Sequence, residues 1–226
     1  MEILYEDNHL IIINKNCGEL VQSDSTGDIS LEQAVKEYVK NKYGKSGDVF
    51  LGVVHRVDRP VSGIMVFART TKAQLRLNRM LQEKLIRKTY WAVVKNLPPE
   101  ETGTLIHYII RNTKSNRSYA HSGECRGSKK AVLHYRHIAS SDRYHLLEID
   151  LETGRHHQIR CQLAAIACPI RGDLKYGFPR SNPNGGISLH ARQIRFKHPV
   201  KAEEINLIAP LPDDPLWEIF ARQVTL

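Results

Sequence analysis

Cysteine is scarce in this 226-residue sequence: Cys17, Cys125, Cys161 and Cys168 are the only four, and no two of them form a Cys-x-x-Cys pair. That is too few for a small disulfide scaffold and suits a reducing compartment. Long apolar runs are missing too. None reaches the ~18 residues of a membrane span. The opening Met1-Glu2-Ile3-Leu4-Tyr5-Glu6-Asp7 is acidic, where a secretory leader would be basic and then apolar. The expectation is a cytoplasmic protein with no membrane partner. Ser62 and Ser188 sit in no nucleophile elbow or Ser-x-x-Lys context, and no Gly-x-x-x-x-Gly-Lys run occurs, which disfavours a serine hydrolase or an NTPase. The chain has 11 histidines, and His157 shares a helical face with Cys161, with Cys168 seven residues further on. The nearest acid, Asp173, lies beyond Pro169 and no second ligand pair appears, so neither a metal nor a cofactor is expected.

What the chain does have is positive charge. Lys and Arg number 33 against 24 Asp and Glu, a net +9, with a pI near 9.4. Hydrophobic residues make up 41% and charged residues 25%, an ordinary globular composition with enough chain for a real core. A basic balance favours a polyanion, nucleic acid or an acidic membrane surface. The excess is concentrated: residues 55–95 hold ten Lys and Arg against two acids, 111–143 eight against two, and 155–201 nine against one.

Periodicity predicts an α+β fold, many strands with about four interspersed helices, in one domain of catalytic size. Glu2–Tyr5 and His9–Asn14 read as a hairpin, with Leu10-Ile11-Ile12-Ile13 as a bounded β-branched run. Ser30 and Gln33 form a capping-box pattern ahead of a helix that runs to Gly44. Strands are expected at Val49–Val54, Ile64–Ala68, Thr89–Lys95, Thr104–Arg111, Ser118–His121, Ala131–Ile138, His145–Leu151, Ile187–Phe196 and Glu204–Ile208. Helices are expected at Thr71–Leu85, Gly154–Ala167 and Pro215–Arg222.

Two polar clusters can carry chemistry. The first is His55-Arg56-Val57-Asp58-Arg59-Pro60-Val61-Ser62-Gly63, between two apolar strands. Arginines on both sides of Asp58 favour its ionised form, which suits a nucleophile or charge stabiliser; a surface turn with a local ion pair fits the spacing as well. The second is Glu152-Thr153-Gly154-Arg155-His156-His157-Gln158-Ile159-Arg160. A Gly turn feeding a helix there, with Arg155, would suit a phosphate, and His156 and Arg160 would share a helical face.

Taken together, these segments resemble the RluA-type pseudouridine synthases, whose signature reads His-Arg-Leu-Asp-x-x-Thr-Ser-Gly. The resemblance continues in order through Arg87–Val94, Thr153–Arg160, Pro169–Gly177, and Leu189-His190-Ala191 with Phe196-Lys197-His198-Pro199, and it reaches the Ile3–Lys15 hairpin. It implies a single catalytic domain over 1–226, α+β, built on a mostly antiparallel, bent, multi-stranded sheet flanked by a few helices, and isomerisation of uridine in RNA to pseudouridine with no metal, redox change or group donor. Asp58 matches the catalytic aspartate of the family. Tyr90 matches the active-site tyrosine that stacks on uracil and can accept the C5 proton, and Arg160 the arginine that pairs with the aspartate. Arg56 matches the arginine that fills the gap left by the extruded nucleotide. His55, Arg155 and Leu189 are implied in RNA or uridine binding, Leu189 as an apolar wall.

The departures are small. Val57 replaces the usual Leu and Val61 the usual Thr, Asn16 follows Lys15 where relatives often have Pro, and Gln162 stands where a histidine is frequent. They bear on substrate choice more than on catalysis. The expected partner is an rRNA or tRNA stem-loop, bound by a monomer, and the chain is expected to lack the small N-terminal RNA-binding domain of some relatives. The alternative is a non-catalytic RNA-binding module or RNA chaperone with the same fold.

Overall fold

The β-branched run Leu10-Ile11-Ile12-Ile13 is buried along its whole length, which is why it shows no alternation. In the computed structural model, which describes residues 1–23 and 27–224, it forms β2 (Leu10–Lys15), antiparallel to β1 (Glu2–Glu6). The chain resolves into two units, Met1–Arg87 with Gln193–Pro210, and Lys88–Arg192 with Leu211–Leu226.

In the first unit, β2 also pairs with β4 (Ser62–Ala68), and the short β3 (Gly52–Val53) pairs with β4 at Phe67 and Ala68. The strand expected at Val49–Val54 is thus only two residues long. Phe50 is left 44% exposed, and Gly52 lies so close to α2 (Thr71–Gln82) that a Cβ would stand 2.5 Å from Gln74 Cδ. Hydrophobicity around 49–54 therefore reports contact with a helix as much as a ladder. α1 (Leu31–Lys42) begins with the expected capping box: Ser30 Oγ accepts from Gln33 N (3.3 Å), and Gln33 Oε1 accepts from Ser30 N (3.0 Å). α2 is capped by Thr70 Oγ1 and buries Ala73 and Leu77 against Leu10, Ile12, Ile64 and Val66. Residues 193–197 of β10 (Leu189–Lys197) pair antiparallel with β11 (Glu204–Ile208) and add Ile194, Phe196 and Ile205 to the same core.

In the second unit, β5 (Arg87–Val94) pairs with β9 (His145–Leu151), β9 with β8 (Lys129–Ser140), β8 with β6 (Thr102–Asn112), and β6 with β7 (Arg117–His121). All four ladders are antiparallel, so the α+β class holds. Trp91, Val93 and Leu146 pack under Trp217 and Phe220 of α4 (Pro215–Gln223). That helix starts where Asp214 Oδ1 accepts from Leu216 N and Pro215 takes the first helical position, which needs no donor.

One helix is shorter than its pattern suggests. α3 spans Gln158–Ala165, not Gly154–Ala167. Gln158 Oε1 accepts from Arg155 N (2.9 Å) and Thr153 Oγ1 (2.8 Å), while its Nε2 donates to Val132 O (3.1 Å). This staples 153–157 into a loop, and His157 enters the helix with a left-handed φ of 52°. His156 thus precedes the helix and does not share a helical face with Arg160.

Candidate active site

The loop between β3 and β4 carries Asp58 on a rigid support. Val61 N donates to Asp58 O (3.0 Å), closing a turn, and Gly18 N donates to Arg59 O (2.8 Å). Arg59 Nε donates to Gly18 O and its Nη2 meets Asp28 (2.6 Å), so that guanidinium is engaged away from its neighbour in sequence. The ends of the loop are buried at Val57 and Val61, Asp58 is half-buried and Arg56 is exposed. His55 Nε2 accepts from Val66 N at 3.3 Å, so this ring ties the loop to β4. Beneath the loop, Lys15 at the end of β2 is 1% exposed and donates to three carbonyls, of Asn16 (2.9 Å), Arg59 (3.0 Å) and Val61 (2.7 Å).

In the second unit, Tyr90 lies on β5 opposite Ile149 and is buried, and Leu189 begins β10, also buried. Arg160, in the first turn of α3, holds Asp173 through Nε–Oδ2 (2.7 Å) and Nη2–Oδ1 (2.9 Å). Tyr176 lies against it, with the Arg160 guanidinium 5.0 Å and that of Arg117 5.2 Å from the ring centre. The Tyr176 hydroxyl accepts from Ser118 N (2.8 Å) and meets His157 Nδ1 (2.9 Å). Burial pushes the Tyr176 hydroxyl up to about 12. Burial, then the charge of Arg160, push His157 down to about 2, so the ring is neutral at ordinary pH. Arg155 Nε donates to Lys130 O at 3.0 Å.

Of the expected residues, Asp58, Arg56 and His55 thus belong to the first unit, and Tyr90, Arg160, Arg155 and Leu189 to the second. Asp173, Tyr176 and Lys15 were not among them. A signal for Asp173 was present: it is the one acid between residues 155 and 201, a stretch with nine Lys and Arg.

A model of the RNA pseudouridylate synthase family matches residues 9–165, a span that includes Asp58, Tyr90 and Arg160. The chain belongs to this family. It is 37% identical, over 94% of its length and 66% of the relative's, to an uncharacterised RNA pseudouridine synthase of Synechocystis. It is 33% identical to the uncharacterised RNA pseudouridine synthase YlyB of Bacillus subtilis, over 95% of this chain and 70% of that one. With the ribosomal large subunit pseudouridine synthase D of Vibrio cholerae it shares 34% identity over 95% of this chain and 68% of the other, in keeping with the RluA type. The chain thus spans about two thirds of the length of these relatives. In fold it is similar to the human RNA pseudouridylate synthase domain containing 4, with a TM-score of 0.79 at 24% identity, covering 98% of this chain and 92% of that one.

Proposed function

We propose that this member of the family isomerises uridine to pseudouridine in a ribosomal RNA stem-loop, with transfer RNA as the second substrate class to be tried, and that residues 1–226 act as one catalytic domain. The observation that carries this reading is the Asp58 loop, a carboxylate on the residue that opens the turn between β3 and β4, within the family's His-Arg-x-Asp signature.

The reaction breaks the N1–C1′ bond, turns the uracil, joins C5 to C1′ and moves the C5 proton, so that substrate and product have the same atoms. Neither a redox partner nor a group donor is needed. In this reading Asp58 is the ionised carboxylate beside sugar and base. Tyr90 offers its ring to the uracil face and its oxygen to the C5 proton, and Arg160 supplies the positive charge that supports carboxylate chemistry in a partly dry setting. Arg56, exposed beside the loop, takes the place of the extruded nucleotide in the stack. His55 and Arg155 contribute to the RNA surface and Leu189 to an apolar wall. Relatives that bear the name of a large-subunit pseudouridine synthase favour ribosomal RNA. A cytoplasmic monomer is the form in which we propose that the protein acts.

The test is to incubate the purified chain and its Asp58→Asn variant with RNA from cells lacking the protein, then to map pseudouridine chemically. New sites made by the parent and lost in Asp58→Asn support the reading and name the substrate. A parent that makes none in ribosomal or transfer RNA overturns it, and favours the non-catalytic RNA-binding module.

A further inference from the structure

Lys88 on β5 is half-buried, and among the described residues its ammonium meets neither a hydrogen-bond acceptor nor a carboxylate. A cation withdrawn from water without a partner is costly. Burial lowers the pKa of this amine, and no neighbouring acid offsets it. The group lacks an anion.

Its surroundings fit one. Side chains of a strand alternate between faces, so Lys88 and Tyr90 share a face of β5, about 7 Å apart along the strand. The ammonium reaches the turn that follows β9: a Cβ on Gly154 would stand 3.9 Å from Lys88 Nζ. Gly154 is exposed, and its N–H has no acceptor among the described residues. Arg155 is exposed too; its Nε rests on Lys130 O, and the guanidinium makes no ion pair among the described residues. Gln158 Oε1 fixes the turn from within by accepting from Arg155 N and Thr153 Oγ1. An ammonium, an amide and a guanidinium thus border one fixed turn.

We propose that Lys88, the Gly154 amide and Arg155 form a phosphate site for the RNA backbone at the uridine that Tyr90 receives. This deepens the functional reading above and rests on it. Turning the uracil breaks the bond that ties base to sugar, so the two halves of the nucleotide need separate holds. Tyr90 is the hold on the base, and a cation one alternate position along the same strand face is the hold on the phosphate. Lysine suits the task as a compact charge with three rotatable donors. Glycine at 154 leaves room for phosphate oxygens to approach both the backbone and the ammonium, where any side chain would stand between them.

The experiment uses the full chain and a synthetic stem-loop around the mapped uridine, with a neutral methylphosphonate at one backbone position at a time. Binding is titrated at several salt concentrations. Lys88→Met should weaken it by ~10–100-fold, the range for hydrogen bonds to a charged group, and lower the salt slope by about one. Lys88→Arg should restore the slope. In the parent, a methylphosphonate beside the target uridine should cause the same loss, and in Lys88→Met that substitution should cost nothing more. A folded Lys88→Met with the parent's affinity and slope overturns the proposal. So does a methylphosphonate loss that adds in full to that of the variant at every position. If the parent makes no pseudouridine, the functional reading fails, and binding to ribosomal and transfer RNA decides the site: a slope lower by about one in Lys88→Met supports it, an equal slope overturns it. If Lys88→Met does not fold, the parent decides. Acetylation of Lys88 by acetic anhydride, read by mass spectrometry, should be suppressed by RNA and recover when the methylphosphonate is in place; acetylation unchanged by RNA overturns the proposal.

Discussion

Arg160 and Asp173 meet in a two-point contact, Nε on Oδ2 and Nη2 on Oδ1, with 6% and 1% of their side chains exposed. The pair joins the first turn of α3 to the Pro169–Gly177 segment. Removing one partner of a buried pair costs ~3–5 kcal/mol. Asp173→Asn should lower stability by about that much, and urea unfolding with unchanged m-value reads it. An effect within about 0.5 kcal/mol would mean that the guanidinium finds full compensation elsewhere.

Variants of Tyr90 test its proposed stacking and proton-transfer roles apart. Tyr90→Phe keeps the ring and removes the oxygen, so RNA binding should persist while product formation falls by ~10²–10⁴-fold, the usual contribution of a general base. Tyr90→Leu should weaken binding as well. Stopped reactions analysed for cleaved uracil and for pseudouridine give the answer, and a Phe variant as fast as the parent removes the oxygen from the mechanism.

Arg56 is exposed beside a half-buried Asp58. Arg56→Ala should slow turnover on folded stem-loops more than on a single-stranded oligonucleotide, whose target base needs no extrusion. If Arg56 instead meets a phosphate, both substrates should suffer alike and the salt slope of binding should fall by about one. Titrations at several salt concentrations tell the two apart.

Acid should loosen the β1–β2 turn. Asp7 Oδ1 accepts from His9 N and Leu10 N (2.8 and 2.7 Å), while Oδ2 takes Lys201 Nζ at 2.8 Å and lies 3.2 Å from His198 Nε2. Burial works to raise the carboxyl, but Lys201 and the two backbone donors outweigh it and hold it at about 2, below its ordinary 3.8. Its folded value is depressed, so the stabilisation is complete above about 4 and is lost as pH falls through about 2. The stake is about 2 kcal/mol. Asp7→Asn should lower thermal stability at neutral pH and flatten its decline below pH 4, as followed by circular dichroism. A parallel decline in both proteins would assign the acid sensitivity to other groups.

Local rules were enough wherever one segment decides its own conformation. The Ser30/Gln33 box, the Asp214-Pro215 start and the β-branched run at Leu10–Ile13 all formed where their residue types place them. The Gly154–Ala167 pattern misled because Gln158 spends its side chain on Thr153, Arg155 and Val132, a partner on a distant strand that no periodicity reveals. Val49–Val54 misled because an apolar run looks the same whether it faces a strand or a helix. Of the candidate site, the motif residues were legible and their supports were not. Nothing about a lysine closing a strand says that it will be buried, and Asp173 stood out only as a solitary acid in a basic stretch.

The hydroxyl of Tyr176 has one proton and two neighbours. Ser118 N–H points at its oxygen, so the arrangement that strands no hydrogen among the three groups sends the hydroxyl proton to His157 Nδ1. The direction of that single O–H bond then decides the tautomer of His157, whose remaining hydrogen must ride on Nε2. Ser118 on β7, Tyr176 beyond α3 and His157 at the mouth of α3 are thereby read in one order only, amide to phenol to imidazole. A proton placed by a strand amide sets the donor face of a histidine 39 positions later in the chain.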